Sequence, residues 1–235
     1  QSLVGFHDQL MTDLPLAYIV GYKRFYDVDF VINHHVLIPR QETEELVQRL
    51  VNLYLASEKL TLVDLGTGSG CIGLTLARLL PSAQLVLTDT SKQALAVAQK
   101  NYQIQSSPSN VKFFQGDLLA PVIADGIYPQ IIIANLPYIS DAIYLDLPTS
   151  VARYEPRLAL YGGPDGLDLY RKLLQQIYQY YQKKPYPELW WEISPEQKDL
   201  IPALFTDQKV QIEYIKDLND RDRFVRIAFD LVNNE

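Results

Sequence analysis

The sequence predicts an α/β protein, a doubly wound, mostly parallel seven-stranded sheet with an N-terminal β-hairpin. Three observations carry that expectation. Short apolar runs alternate with amphipathic helical segments from about residue 60 to residue 193, the pattern of a parallel sheet covered on both faces. A glycine-rich turn, Gly66-Thr67-Gly68-Ser69-Gly70, follows the first of those runs and opens a helix. No Gly/Ser-rich linker and no internal repeat divides the 235 residues, a length that one mid-sized domain with an appendage fills.

Composition narrows the class. With 48% hydrophobic and 21% charged residues the chain reads as an ordinary globule rather than a disordered segment. Its single cysteine, Cys71, excludes an internal disulfide framework and a multi-cysteine zinc site, and agrees with a reducing, cytoplasmic home. The net charge of −7 weighs against a protein built to grip phosphate backbones, so stable nucleic-acid binding is not expected. No apolar run approaches the roughly 18 residues of a membrane span. The first twenty residues carry Asp8 and Asp13 without a basic leading region, unlike a signal peptide.

The elements follow in order. Residues 1–17 form a mixed lead-in. Between 18 and 39, Tyr26, Val28, Phe30 and Ile32 alternate with Asp27, Asp29, Val31 and Asn33, which predicts a hairpin or two short strands. Pro39 ends that stretch, and a helix over 43–55 begins with Glu44 and Glu45 suitably near its N-terminus. Residues 1–40 thus read as lead-in and hairpin, and 41–235 as the main domain. Strands are predicted at 60–65, 84–89, 111–115, 130–134 and 187–193, with helices at 71–80, 91–104 (Ser91 as N-cap) and 167–181. A Pro- and Tyr-rich stretch covers 136–165, and 211–215 with 224–231 forms a closing antiparallel pair. Ligands of such a sheet sit at the carboxyl ends of its strands, near the point where strand order reverses.

Asp64-Leu65-Gly66-Thr67-Gly68-Ser69-Gly70 lies where the first sheet strand turns into a helix. Glycines there let a bulky ligand lie against bare backbone. Two cofactor classes compete. Gly68, Gly70 and Gly73 satisfy the dinucleotide fingerprint, with Asp89 the right distance downstream. The aspartate two residues before the first glycine, and three alternating glycines, favour S-adenosylmethionine, with S-adenosylhomocysteine as product. Asp89 is placed to accept from ribose hydroxyls, or else is a helix-start acid beside Ser91. Asp117 is placed to accept from an adenine amino group, with Leu118 against the ring, or else is an ordinary turn residue.

The second segment is Asn135-Leu136-Pro137-Tyr138, which follows Ile131-Ile132-Ile133-Ala134. A planar NH2 beside a carbonyl or a ring nitrogen is a poor nucleophile, because its lone pair is delocalised. A site can grip both hydrogens with the Asn135 side-chain oxygen and the Leu136 carbonyl, aiming the nitrogen at a sulfonium methyl. Pro137 brings no competing N–H, and Tyr138 offers an aromatic wall. Catalysis is then positioning and preorganisation, with no classical base. Read by itself, the segment is equally a strand-ending turn.

Together the glycine turn and Ala134-Asn135-Leu136-Pro137-Tyr138-Ile139 resemble a class I, S-adenosylmethionine-dependent amino-methyltransferase of Rossmann-like fold. The flanks narrow the resemblance. Pro15-Leu16-Ala17-Tyr18-Ile19-Val20-Gly21, Leu37-Ile38-Pro39-Arg40 with Thr43-Glu44, and Arg153-Tyr154-Glu155-Pro156 resemble the release factor glutamine N5-methyltransferases (the HemK/PrmC-type family), as do Gly162-Gly163-x-Asp165-Gly166-Leu167 and Trp191-Glu192-Ile193. The resemblance runs over roughly residues 15 to 232. It implies methylation of the glutamine amide in the Gly-Gly-Gln loop of peptide chain release factors, with Asn135 to Tyr138 contacting that glutamine. It also implies cofactor contacts from Asp64 to Gly70 and at Asp89, Asp117, Leu118 and Asn135, with Arg40 shaping the substrate site and Glu155 holding a loop or touching substrate.

Two departures stand out. The family usually reads Asn-Pro-Pro-Tyr where Leu136 stands here, and Asn-Leu-Pro-Tyr also resembles rRNA adenine N6-dimethyltransferases. An RNA or DNA amino-methyltransferase is therefore the alternative reading. The family normally carries a helical N-terminal domain, where about fourteen residues precede Pro15 here; residues 1–40 then read as the remnant of a linker to a missing or reduced domain. A nicotinamide dehydrogenase would need a proton donor, and His7, His34 and His35 all precede the sheet. A degenerate scaffold is at odds with the intact turn and Asn135. Cys71 and the tyrosines at 170, 178, 180 and 181 read as packing or surface residues, and Lys183-Lys184 as a solvated helix end.

Overall fold

The computed structural model describes residues 12–57, 59–105, 110–205 and 208–230. His7, Asp8 and Leu231, on which parts of the sequence reading fall, lie outside the described residues.

A helical turn, α1 (Leu16–Val20), stands where extended residues were expected from Tyr18 onward. Pro15 precedes its first turn, and Gly21 closes it at φ 81°, its N–H donating to the Ala17 carbonyl at 2.9 Å; a proline before and a left-handed glycine after are strong local helix brackets. The predicted hairpin follows as β1 (Tyr22–Phe25) and β2 (Val28–Val31). Its Phe25 and Phe30 rings meet edge to face, fully buried in one cluster with Leu46, Val47 and Leu50 of α2 (Thr43–Tyr54).

Then come β3 (Thr61–Leu65), α3 (Cys71–Leu79), β4 (Gln84–Asp89), α4 (Lys92–Ile104), β5 (Val111–Gln115), α5 (Ala120–Ala124) and β6 (Ile131–Ala134). Each strand lies within a residue of its predicted bounds, and the Ser91 hydroxyl accepts from the Ala94 N–H as the expected cap of α4. The Pro- and Tyr-rich stretch holds two short helices with no counterpart in the sequence reading, α6 (Asp141–Leu145) and α7 (Thr149–Tyr154). Ser140 caps α6, while Pro148 starts α7. The chain ends with α8 (Asp168–Tyr180), β7 (Glu188–Glu192), β8 (Val210–Lys216) and β9 (Asp222–Phe229).

The seven sheet strands run in the order β5-β4-β3-β6-β7-β9-β8. The first five are parallel, and β9 is antiparallel to both β7 and β8. Strand alternation sends side chains to two cores. Val63, Val86, Ile132 and Trp191 pack with Tyr170, Leu173 and Ile177 of α8, while Leu62, Leu85, Ile133 and Trp190 pack with α2 and α3. Successive tryptophans on β7 thus anchor opposite faces, both fully buried. Strand order reverses at β3, which has β4 on one side and β6 on the other. The connections leaving their carboxyl ends diverge there and open a crevice.

One side chain ties the hairpin to that crevice. Asn101 of α4, 1% exposed, accepts from the Val31 N–H at 2.7 Å and donates to the Val31 and Ser69 carbonyls, each at 2.9 Å. The hairpin edge and the glycine turn share this bracket, and removing it strands three backbone groups, the Ser69 carbonyl buried and the two of Val31 partly buried. Asn101→Ala is therefore expected to cost about 2–3 kcal/mol, measured by urea unfolding. A loss below about 0.5 kcal/mol would mean that packing alone holds the hairpin.

Candidate active site

A cavity of about 510 Å³ lies over the carboxyl ends of β3, β4 and β6. Gly66, Thr67, Gly68, Ser69, Asp89, Asp117, Leu118, Asn135, Leu136, Pro137 and Arg40 all line it. The site residues read from sequence converge from seventy residues of sheet connections and from the loop after the hairpin. Asp64, Gly70 and Tyr138 are not in the lining, and each does something else.

Gly66, Gly68 and Gly70 all adopt positive φ. Gly68, at φ 57°, lies in the cavity wall where a side chain would be both strained and in the ligand's way. Asp64 is 1% exposed beneath the turn. Its Oδ2 accepts from the Thr67 hydroxyl at 2.6 Å and from the Gly73 N–H at 3.0 Å. Asp64, expected at the cofactor, instead supports the loop that lines the cavity. Burial pushes the Asp64 carboxyl up to about 7, against the lowering effect of those two donors. Gly73, third glycine of the fingerprint, serves close packing: a Cβ there would meet the Leu87 side chain at 2.7 Å. Gly70 is the N-cap residue of α3.

Asp89 is buried at the end of β4. Its Oδ2 accepts from the Gly68 N–H at 3.0 Å and its Oδ1 from the Ser91 N–H at 2.8 Å. Burial raises this carboxyl too, and the two backbone donors oppose the rise. The Gly68 contact separates the two cofactor classes. A pyrophosphate needs the N–H groups of this turn, yet Gly68 gives its N–H to a carboxylate that would repel a phosphate. A nucleoside with an amino-acid tail meets no such conflict: Asp89 keeps lone pairs for vicinal hydroxyls, and the bare glycine backbone leaves room for the tail. The cavity residues fit S-adenosylmethionine.

At the far rim, Leu118 holds φ 51°, a conformation that costs a branched side chain of order 1 kcal/mol. Gln176 of α8 stabilises it, accepting from the Leu119 N–H at 2.8 Å and donating to the Asp117 carbonyl at 3.3 Å. The Asp117 carboxylate is half exposed and pairs with Lys172 at 2.7 Å, so its reach toward a ligand is shared with a lysine that also lines the cavity.

Asn135 follows β6. Its Nδ2 donates to Glu192 Oε2 at 3.0 Å and lies 3.5 Å from the Thr43 hydroxyl. Leu136 turns its side chain into the core, where it packs 3.2 Å from the position of a Cβ on Gly66. Tyr138 is not the aromatic wall that was expected. Its hydroxyl donates to Glu192 Oε1 at 3.1 Å, and burial beside that carboxylate keeps it protonated. The backbone of this segment is held from outside. Gln197 donates to the Tyr138 carbonyl at 3.0 Å, and Gly162 lies so close that a Cβ there would stand 2.3 Å from the Pro137 carbonyl oxygen.

The loop after the hairpin closes the cavity. Glu155, 4% exposed, accepts from the Ile38 N–H at 3.1 Å and pairs with Arg40 at 2.5 Å. Of its two readings, loop support is the one the geometry favours, and it fixes Arg40 at the cavity edge. Cys71, buried as expected, also touches the cavity, and burial pushes its thiol up to about 12.

Sequence reasoning missed the roles of five contributors. Glu192 and Gln176 are polar residues on otherwise apolar buried faces; Glu192 also stands in the family-like Trp191-Glu192-Ile193 segment, without a role being read for it. Thr43 looks like any helix-start threonine. His34 and His35, set aside because they precede the sheet, line the cavity with rings 3.9 Å apart. Among the described residues no group of three or more His, Cys, Asp or Glu comes together to hold a metal ion, and no helix is long and apolar enough to cross a membrane.

Comparisons with known proteins agree with this chemistry. The family model described as "Methyltransferase small domain" matches residues 41–145. The release factor glutamine methyltransferase of Bacillus subtilis is 41% identical over 218 residues, covering 90% of this chain and 74% of the relative. That of Enterococcus faecalis is 36% identical, covering 92% and 76%. Among solved structures, a putative SAM-dependent methyltransferase from Streptococcus mutans aligns with a TM-score of 0.59 at 12% identity, over 89% of this chain and 55% of that one. The N-terminal domain of human METTL16 in complex with SAH aligns at 0.55 and 15% identity, over 86% and 75%. At such identities these two speak for the fold alone.

The Asp64 carboxyl supplies a pH test. Its ordinary value in an unfolded chain is about 3.9, so between there and about 7 the folded protein holds a proton that the unfolded chain releases. Asp64 therefore withdraws stability as pH rises through that window. Asp64→Asn keeps an acceptor oxygen for Thr67 and Gly73 but cannot ionise. Its melting temperature relative to the parent is expected to improve steadily from pH 4 to pH 7. A difference independent of pH would show that Asp64 is ionised throughout.

Proposed function

The chain belongs to the release factor glutamine methyltransferase family, and from that premise we propose that it methylates the side-chain amide nitrogen of the glutamine in the Gly-Gly-Gln loop of a peptide chain release factor, by the site described above. It is an S-adenosylmethionine-dependent methyltransferase. The observation that carries the acceptor reading is the Asn135 amide. With Nδ2 given to Glu192, its Oδ1 is the end left for a substrate, and an incoming NH2 needs acceptors.

When bound, S-adenosylmethionine supplies an electrophilic methyl group on a sulfonium. The residues of this chain do the rest. The backbone of Gly66 to Ser69 would border the amino-acid tail, Asp89 would accept from the ribose hydroxyls, and Asp117 and Leu118 would border the adenine. Asp64 and Gly70 hold the turn in shape. Asn135 Oδ1 and the Leu136 carbonyl would accept the two amide hydrogens of the glutamine, fixing the position and direction of its nitrogen. Pro137 presents no N–H to compete. Leu136 in place of a proline leaves this intact, since the carbonyl is the working group and the side chain is spent on the core. Arg40 borders the entrance for the acceptor. Release factors act in the cytoplasm, which accords with the single buried cysteine.

Two substitutions separate the halves of the site. Asn135→Ala is expected to lower transfer at least about 10²-fold with cofactor affinity within a few-fold, read by calorimetry. Normal turnover would remove Asn135 from the mechanism. Asp89→Asn keeps an acceptor but loses the charge, and is expected to weaken cofactor binding roughly tenfold; unchanged affinity would take Asp89 off the ribose. The acceptor itself is tested with tritiated S-adenosylmethionine, offering a bacterial release factor and unmodified rRNA in parallel. Label is expected in the release factor and lost when its loop glutamine is replaced. Label in RNA would overturn the glutamine reading.

A further inference from the structure

Asn135 can do its work in only one of two orientations. A carboxamide is nearly symmetric in shape, so turning it over exchanges an acceptor for a donor at almost no steric cost. With Oδ1 toward the cavity it grips an NH2; with Nδ2 there it repels one. Nothing in the segment Asn135 to Tyr138 itself makes the choice.

Glu192 does. It ends β7 at 2% exposure, and its carboxylate receives three donors from two separate parts of the chain. The Thr43 hydroxyl reaches Oε2 at 2.7 Å, Asn135 Nδ2 the same oxygen at 3.0 Å, and the Tyr138 hydroxyl Oε1 at 3.1 Å. An ionised carboxylate only accepts. Turning the Asn135 amide over would set Oδ1 against Oε2 and break a charge-assisted bond. Thr43, whose hydrogen is already committed to Glu192, offers the turned amide no donor either. We infer that Glu192 is the positioning residue of the reaction, locking the Asn135 carboxamide with its oxygen toward the cavity and thereby deciding that the site accepts an NH2 group. The inference rests on the amide-methylation reading, but its core is the polarity of one hydrogen bond.

That polarity can be reversed. Asn135→Asp sets two carboxylates 3.0 Å apart and is expected to lower kcat at least about 10²-fold. Glu192→Gln alone retains one acceptor oxygen for Nδ2 and is expected to lose less than about tenfold. In the double variant N135D/E192Q, the new carboxamide at 192 can donate to the new carboxylate at 135, which still turns an acceptor to the cavity. It is expected to recover at least about tenfold in kcat over N135D. Cofactor affinity, read by calorimetry, should stay within about threefold of the parent in all three proteins and reports that each is folded.

A double variant no faster than N135D overturns the proposal, because a carboxylate that merely filled space would not be rescued by its amide. An N135D protein with parental kcat overturns it too. If the parent labels RNA rather than a release factor, the same four proteins are assayed on that RNA. An adenine NH2 makes the same demand on Asn135, so the rescue is read whether or not the glutamine reading survives.

Discussion

A buried carboxylate with three donors is the constraint on which the reacting end of this molecule depends. Glu192 is taken out of water at the end of β7, and burial pushes its carboxyl up while the Thr43 and Tyr138 hydroxyls and the nearby Arg223 pull it down. A buried charge without partners costs several kcal/mol, so each donor is bound to its place. Thr43 brings the start of α2, Asn135 and Tyr138 bring the segment after β6, and the Tyr170 hydroxyl, donating to the Glu192 carbonyl at 2.5 Å, brings α8. The start of α2 and the segment after β6, remote in sequence, converge because one anion must be satisfied, while α8 is held by the backbone of the same residue.

The cofactor end follows the same logic with two other acids. Asp64 and Asp89 end neighbouring strands and both accept backbone N–H groups, yet they play different parts. Asp64 sits underneath the glycine turn and shapes it. Asp89 sits beside the turn and still faces the cavity. Asp64 lies opposite Leu87 in the register, so the two acids share a face of the sheet; what separates them is length, since Asp89 stands two residues further on, at the last position of its strand. Asn101 then fastens the same turn to the hairpin, so the loop that follows the hairpin is carried to the cavity by the element that also fixes the cofactor backbone.

Most of the sheet was legible from local pattern. Apolar runs such as Leu85-Val86-Leu87 and Ile131-Ile132-Ile133 carry their burial on both faces in their composition, and Ser91 announces the start of α4. Those signals are contained in a few consecutive residues. The misses share the opposite property. The α1 turn depends on Pro15 and Gly21 overriding the extended bias of the residues between them. Glu192 and Thr43 are 149 positions apart, and neither carries its partner's identity in its neighbourhood. Tyr138 was assigned a wall by its ring when its hydroxyl was the group engaged. Motifs told which residues line the cavity better than they told which residues hold those residues in place.

The groups proposed to grip an NH2, the Asn135 oxygen and the Leu136 carbonyl, would respond to that NH2 and not to what carries it. Glutamine and adenine are alike at this point, so the choice between them has to be made further out. The further walls come from elsewhere in the chain. One is the loop after the hairpin, with Val36, Leu37 and Arg40 braced by Glu155; the other runs from Pro156 through Ala159 to Leu169 and Lys172 on α8. The residues proposed to contact the cofactor and the NH2 fall between Gly66 and Pro137, whereas both walls lie outside that span. Chemistry and substrate identity are therefore written in different parts of this sequence. The Arg40–Glu155 pair joins the two walls across 115 positions, so one wall cannot shift without the other.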